Sequence, residues 1–151
     1  MKTYLKLFML LLLGGFPWGM MQATPYNIAP KARASASSSV DAGRDASKAI
    51  DGVIRVLDKG EWVSKSTETF WGQIDYPWIQ LDWERPVNIN KIILYDRPVM
   101  ESHIAGGVLR FSDGSKINVW GMDNDGTPKE IEFESRQVEW VRFEVTDADG
   151  T

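Results

Sequence analysis

From Asn27 onwards the chain repeats one theme: short segments in which apolar and polar residues alternate, separated by Gly, Asp, Asn and Pro. A period of two is the mark of a strand with one buried and one wet face, and many such segments at close spacing predict an antiparallel sandwich or barrel. Trp78-Ile79-Gln80-Leu81-Asp82-Trp83 stops short of Pro86, and Val87 to Tyr95 follows with Val87, Ile89, Ile92 and Ile93, so two strands are expected here. Val108-Leu109-Arg110-Phe111 and Lys116-Ile117-Asn118-Val119 flank Ser112-Asp113-Gly114-Ser115, whose central Asp-Gly pair suits a type I′ hairpin turn. Ile131 and Phe133 alternate with glutamates, and Val141, Phe143 and Val145 alternate with Arg142, Glu144 and Thr146. Val138 and Trp140 share one parity while Val141 and Phe143 share the other, which predicts a bulge between Trp140 and Val141. Asp45 to Ile50 reads as a single helical turn, and Asn27 to Val40, rich in Ala and Ser, as an early edge strand.

The first residues break this pattern. Lys2 and Lys6 precede the apolar run Leu7 to Leu13, and Gly14, Gly15 and Pro17 lead on to Met21-Gln22-Ala23. That is the layout of a secretory signal peptide cleaved after Ala23, its apolar run being shorter than the ~20 residues a bilayer span needs. Removing residues 1–23 leaves 151 − 23 = 128 residues, 24–151, the size of one domain. The leader holds two of the 17 basic residues and none of the 21 acidic ones, so the mature balance is 15 − 21 = −6. This charge, without a basic stripe, argues against nucleic acid and anionic membrane surfaces as partners. With no cysteine in the chain, neither disulfides nor lipoprotein attachment is available, and the fold must rest on its core. A secreted or periplasmic location is expected.

Tryptophan is overabundant, with seven in the chain and six after the leader, and this directs attention to binding. Trp62, Trp78, Trp83 and Trp140 sit in or beside alternating pattern and read as core or strand packing. Trp71 lies with Phe70 and Tyr76 in a segment punctuated by Gly72 and Pro77, and Trp120 ends a strand just before Gly121. Aromatic rings placed on loops can stack on the apolar faces of sugar rings, so Phe70, Trp71, Tyr76 and Trp120 are candidate ligand contacts. Arg97 and the one histidine, His103, fall in a Gly- and Pro-containing loop from Arg97 to Gly107 and could hydrogen-bond sugar hydroxyls. A lone histidine without a nucleophile motif cannot form a catalytic triad, so no enzyme is expected. Asp123-Asn124-Asp125-Gly126 fails as a calcium loop because Gly121 would occupy the essential first ligand position, and it reads as a turn. Asp147-Ala148-Asp149-Gly150 fails likewise, with Val145 in that position.

Five blocks in order, Asn27-Ile28-Ala29, Lys48-Ala49-Ile50-Asp51-Gly52, Gly60-Glu61-Trp62, Trp78-Ile79-Gln80-Leu81 and Ile92-Ile93-Leu94-Tyr95-Asp96-Arg97-Pro98, resemble the discoidin-like, coagulation-factor type C family. Gly107 to Ser115, Asn124-Asp125-Gly126 and Val138 to Thr146 are similar to its bacterial branch, whose members are often appended to secreted sugar deacetylases and glycoside hydrolases. The resemblance implies an all-β, galactose-binding-like jelly-roll sandwich that binds glycans through loops at one end. It also implies a structural calcium held by the Asp51 carboxylate and the Lys48 carbonyl, although the usual downstream oxygen ligands correspond here to Val53 and Val56. A family chain normally carries one more strand than this sequence reaches, which implies a fragment of a longer product or a sandwich short of an edge strand. An edge left unpaired would invite a protein partner. The leading expectation is a non-catalytic carbohydrate-binding module; a structural or protein-interaction domain of the cell envelope and a piece of a larger carbohydrate-active enzyme are the alternatives.

Overall fold

The computed structural model describes residues 2–4, 6–7, 26–54, 61–65, 76–96, 98 and 103–149. Its strands are β1 (Lys2–Tyr4), β2 (Lys6–Leu7), β3 (Tyr26–Asn27), β4 (Arg33–Ala36), β5 (Trp78–Tyr95), β6 (His103–Phe111), β7 (Lys116–Trp120) and β8 (Pro128–Asp149). Single 3-10 turns cover Ala29–Lys31, Ala42–Arg44 and Ala46–Ile50. All pairing is antiparallel: a six-stranded ladder runs β1-β5-β8-β6-β7 with β4 also on β5, and β2 pairs with β3. Asp45 caps the Ala46–Ile50 turn by accepting the Ser47 N–H at 2.8 Å, as the helical reading of this stretch requires. Of the proposed edge strand from Asn27 to Val40, only Arg33–Ala36 joins the main ladder, because Pro30 starts a 3-10 turn just before it.

The two long strands carry the architecture. Trp78 to Asp82 of β5 pair with Glu144 to Trp140 of β8, and Val87 to Tyr95 pair with Val138 to Pro128. Between these stretches β5 spends Trp83 to Pro86 where β8 spends only Glu139. The two strands expected around Pro86 are therefore one continuous strand of 18 residues, since the missing N–H of Pro86 falls where the ladder is already interrupted. The expected bulge is also displaced: it lies between Val138 and Trp140, because Trp140 stays in register with Asp82 on the outer face. A second register shift, between Ile89 and Lys91, changes the phase of β5, so that Ile79, Leu81 and Ile89 share one core with Ile92 and Leu94, joined by Leu109, Phe111 and Phe143.

Two buried indoles tie the N-terminal segment to this core. Trp62 is 2% exposed and donates from Nε1 to the Ser38 carbonyl at 2.9 Å, and Trp83 donates to the Ile28 carbonyl at 3.2 Å. A buried indole N–H needs such a partner. Beside Trp62, Glu61 is buried with one carboxylate oxygen lacking a hydrogen-bond partner; the structure offers no explanation for it.

The β6–β7 hairpin differs from the expected type I′ turn. Gly114 N–H bonds the Phe111 carbonyl at 3.0 Å and Phe111 N–H bonds the Ser115 carbonyl at 3.1 Å, leaving a three-residue loop with Gly114 at φ +84° as its left-handed residue. Asp125 closes the next turn by accepting the Thr127 N–H at 2.8 Å, so Asp123 to Gly126 form the turn expected of them.

Candidate functional site

One hydrogen-bonded row fixes the relative positions of the candidate residues. The Pro77 carbonyl accepts the Val145 N–H at 2.9 Å, Val145 pairs with Gly107, and Gly107 pairs with Val119, so the row crosses β5, β8, β6 and β7. Val145 and Val119 point into the core, and a Cβ on Gly107 would meet the buried Phe143 ring. One residue further along, alternation turns the side chains to the outer face. There Tyr76 continues β5, Thr146 and Asp147 continue β8, and Gly106 of β6 faces Trp120 of β7. Tyr76 is 45% exposed and Trp120 58%. Three strand spacings separate them, about 14 Å.

Trp120 packs closely against its partner. The nearest ring atom, Cε3, would be 2.7 Å from a Cβ at Gly106, so the indole approaches bare β6 backbone while remaining 58% exposed. Exposed Thr146 and Asp147 add a hydroxyl and a carboxylate between the two rings.

His103 belongs to this end, but as the first residue of β6, opposite Asp149, and not within a loop. The reason lies in Asp96: this buried carboxylate accepts the Ile104 N–H at 2.8 Å and so brings the start of β6 back into the ladder earlier than the glycines at 106 and 107 suggest. Phe70, Trp71 and Arg97 lie outside the described residues.

The other described tryptophans are occupied. On the outer face Trp78 and Trp140 are half-buried under Arg142, whose guanidinium stands 4.3 Å and 6.0 Å from the two rings. Arg142 also donates to Gln80 Oε1 at 2.8 Å, and beside it Arg110 donates to Glu144 at 2.6 Å. Alternation placed these rings on strands, but nothing in their spacing announces that an arginine covers them.

The calcium candidates sit away from this row. Asp51 is exposed at the end of the Ala46–Ile50 turn, where its Oδ1 accepts the Val53 N–H at 2.8 Å. No group of three acidic or histidine side chains suited to a metal occurs among the described residues, so a cation at this turn would draw on the Asp51 carboxylate and backbone carbonyls. Among the described residues no helix is long and apolar enough to cross a membrane.

The architecture is shared with glycan-recognition proteins of known structure. Chitosan-binding module 1 from the chitosanase/glucanase of Paenibacillus sp. IK-5 is 24% identical, with 82% of this chain and 88% of that one covered at a TM-score of 0.61. The family 32 CBM from C. perfringens NanJ, solved in complex with galactose, is 17% identical, with coverages of 81% and 90% and a TM-score of 0.61. A fucolectin from striped bass (Morone saxatilis) serum is 19% identical, with 84% of this chain and 44% of that one covered at a TM-score of 0.68. The fold is thus the discoidin-like, galactose-binding-like β-sandwich that the five sequence blocks imply. Residues 27–151 match the family described as a domain of unknown function, DUF7402, and the chain belongs to it. The curated proteins contain no match to this chain.

Proposed function

We propose that this protein is an exported, non-catalytic carbohydrate-binding module that takes a glycan across the outer face of its sheet, at the end that carries Tyr76, His103 and Trp120. The observation that carries this reading is the pair of solvent-exposed rings at the two ends of one row, Trp120 packed against Gly106. A flat exposed ring stacks on the C–H face of a sugar, and His103, Thr146 and Asp147 supply hydrogen-bonding partners for hydroxyls. The gap of about 14 Å is too wide for one sugar ring to touch both platforms, so an oligosaccharide is the fitting ligand. Phe70 and Trp71, a few residues before Tyr76, and Arg97, a few before His103, complete the set. The recognition of chitosan and galactose named for the similar modules supports the ligand class and leaves the sugar open. Stacking with a few hydrogen bonds fits a dissociation constant around millimolar to micromolar.

The leader layout of residues 1–23, with two lysines ahead of a short apolar run, supports cleavage after Ala23 and a location outside the cytoplasm. A structural calcium would use the Asp51 carboxylate and the Lys48 carbonyl, and would tighten the loop after the Ala46–Ile50 turn. A protein-interaction role is the second reading, favoured by one observation: Lys2–Tyr4, within the leader, pairs with Ile93 to Tyr95, so cleavage would free that strand edge for another chain.

A glycan array of the purified protein, run with calcium and with chelator and followed by tryptophan fluorescence titration, tests this. Binding with a fluorescence change is expected, and a loss of binding in chelator would establish the cation. No binding by a folded sample that captures a protein through the freed edge would overturn the glycan reading.

A further inference from the structure

We infer that Gly106 is a positioning residue of the glycan site, present to let the Trp120 indole pack closely against strand β6 as a stacking platform; this rests on the carbohydrate-binding reading above. Gly106 and Gly107 are adjacent in a strand, where glycine adds chain entropy to be lost on folding and contributes no packing. The pairing with β8 shifts register on both sides of Gly106. Neither glycine has a positive φ, unlike Gly52, Gly114, Gly121 and Gly126, so a left-handed backbone does not require a glycine at either position. Close approach does, and it comes from opposite sides. A Cβ on Gly107 would lie 2.5 Å from the Phe143 ring and 2.5 Å from the Glu144 carbonyl oxygen, inside the core. A Cβ on Gly106 would lie 2.7 Å and 3.0 Å from Trp120 Cε3 and Cζ3, and 3.0 Å from the Val119 carbonyl oxygen.

Gly107 therefore serves the fold. Gly106 makes room for a ring that is 58% exposed and buries little, so the conformational freedom spent there returns scarcely any packing. What it gains is geometry. With Gly106 the indole can sit directly against the β6 backbone; with any side chain there the ring must shift away. A sugar held between Trp120 and the polar groups of Thr146 and Asp147 would then lose its stacking plane.

The test is a double-mutant cycle on the full protein with Gly106→Ala, Trp120→Ala and the pair, using chitotriose and galactose as probes. The near-ultraviolet circular dichroism contributed by Trp120 is read as the wild-type spectrum minus that of Trp120→Ala. Gly106→Ala is expected to change this signal, to weaken binding of whichever probe binds the wild type by tenfold or more, and to have no further effect on binding once Trp120 is absent. An unchanged Trp120 signal, or an equal loss of affinity in the Trp120→Ala background, would overturn the inference. Should neither probe bind the wild type, the carbohydrate reading loses its support while the spectral comparison still decides whether Gly106 sets the ring. Should Gly106→Ala fail to fold, folding of the double variant would support the ring as the neighbour that needs the space, and failure of both would assign Gly106 to the backbone contact with Val119 and overturn the positioning role.

Discussion

The two ends of the β6–β7–β8 sheet treat their aromatic residues in opposite ways. At the hairpin end Phe111 and Phe133 meet edge to face at 5.3 Å, and the Arg136 guanidinium packs 4.6 Å and 4.8 Å from their centroids. Arg136 donates to the Ser115 hydroxyl, Asp113 accepts the Ser115 N–H at 2.8 Å, and Ser112 accepts the Glu139 N–H at 2.7 Å. Every ring there is covered, and the polar groups close the turn on themselves. At the opposite end Tyr76 and Trp120 lie open, and the row between them ends in an unadorned glycine and exposed polar side chains. Rings of the same kind thus serve stability where polar neighbours cap them, and recognition where the neighbours step aside.

This contrast can be broken by substitution. The largest effect is expected in the framework: Trp62→Ala removes a nearly fully buried indole and its bond to Ser38, and should cost about 3–5 kcal/mol in denaturant unfolding. Gly107→Ala forces a methyl group against Phe143 and the β8 backbone and should cost about 1–3 kcal/mol. Arg136→Ala uncovers the two phenylalanine rings of the closed end and should cost about 1–2 kcal/mol, with glycan binding retained. Trp120→Ala and Tyr76→Ala reverse that pattern: unfolding should shift by no more than about 0.5 kcal/mol, while calorimetric titration should show binding weakened tenfold or more.

The smallest effect is a pH dependence at the closed end. The Ser115 hydroxyl, and then its N–H, hold the Asp113 carboxyl below the ordinary aspartate range. The unfolded chain binds that proton more readily, so the contribution is fully present above the unfolded value of about 3.9 and is lost as pH falls through the lowered folded value. Asp113→Asn should flatten the acid limb of a thermal-melting profile slightly and leave the neutral limb nearly unchanged.

Much of this organisation is legible in the sequence because alternation reports burial one residue at a time. Ile79, Leu81, Val141 and Phe143 could be assigned to the core from their phase alone, and the short helical turn from Asp45 and its apolar followers. Pro86 misled because a proline reads as a strand end, and its lost N–H is harmless only where β5 has already left the ladder. The sequence pattern puts His103 in a loop because glycines at 106 and 107 weaken strand propensity, whereas the Asp96 carboxylate that anchors β6 leaves no mark in that pattern. The surplus of tryptophan pointed to binding, and Trp120 and Tyr76 emerged as exposed. What separates them from Trp78 and Trp140 is Arg142, two residues beyond Trp140 on its own strand but across the sheet from Trp78. Gly106 closes a loop in the sequence pattern, and only pairing shows that it lies in a strand with Trp120 as the approaching group.

The most direct test of an open end against a closed one is amide chemical-shift mapping of the nitrogen-15-labelled protein during titration with an oligosaccharide from the array. Perturbations should concentrate at Tyr76, Trp78, His103 to Gly107, Trp120, Gly121 and Val145 to Ala148, leaving Phe111 to Lys116 and Phe133 to Glu139 in place. Shifts centred on the hairpin end, or spread evenly over the sheet, would contradict the assignment of recognition to the open end.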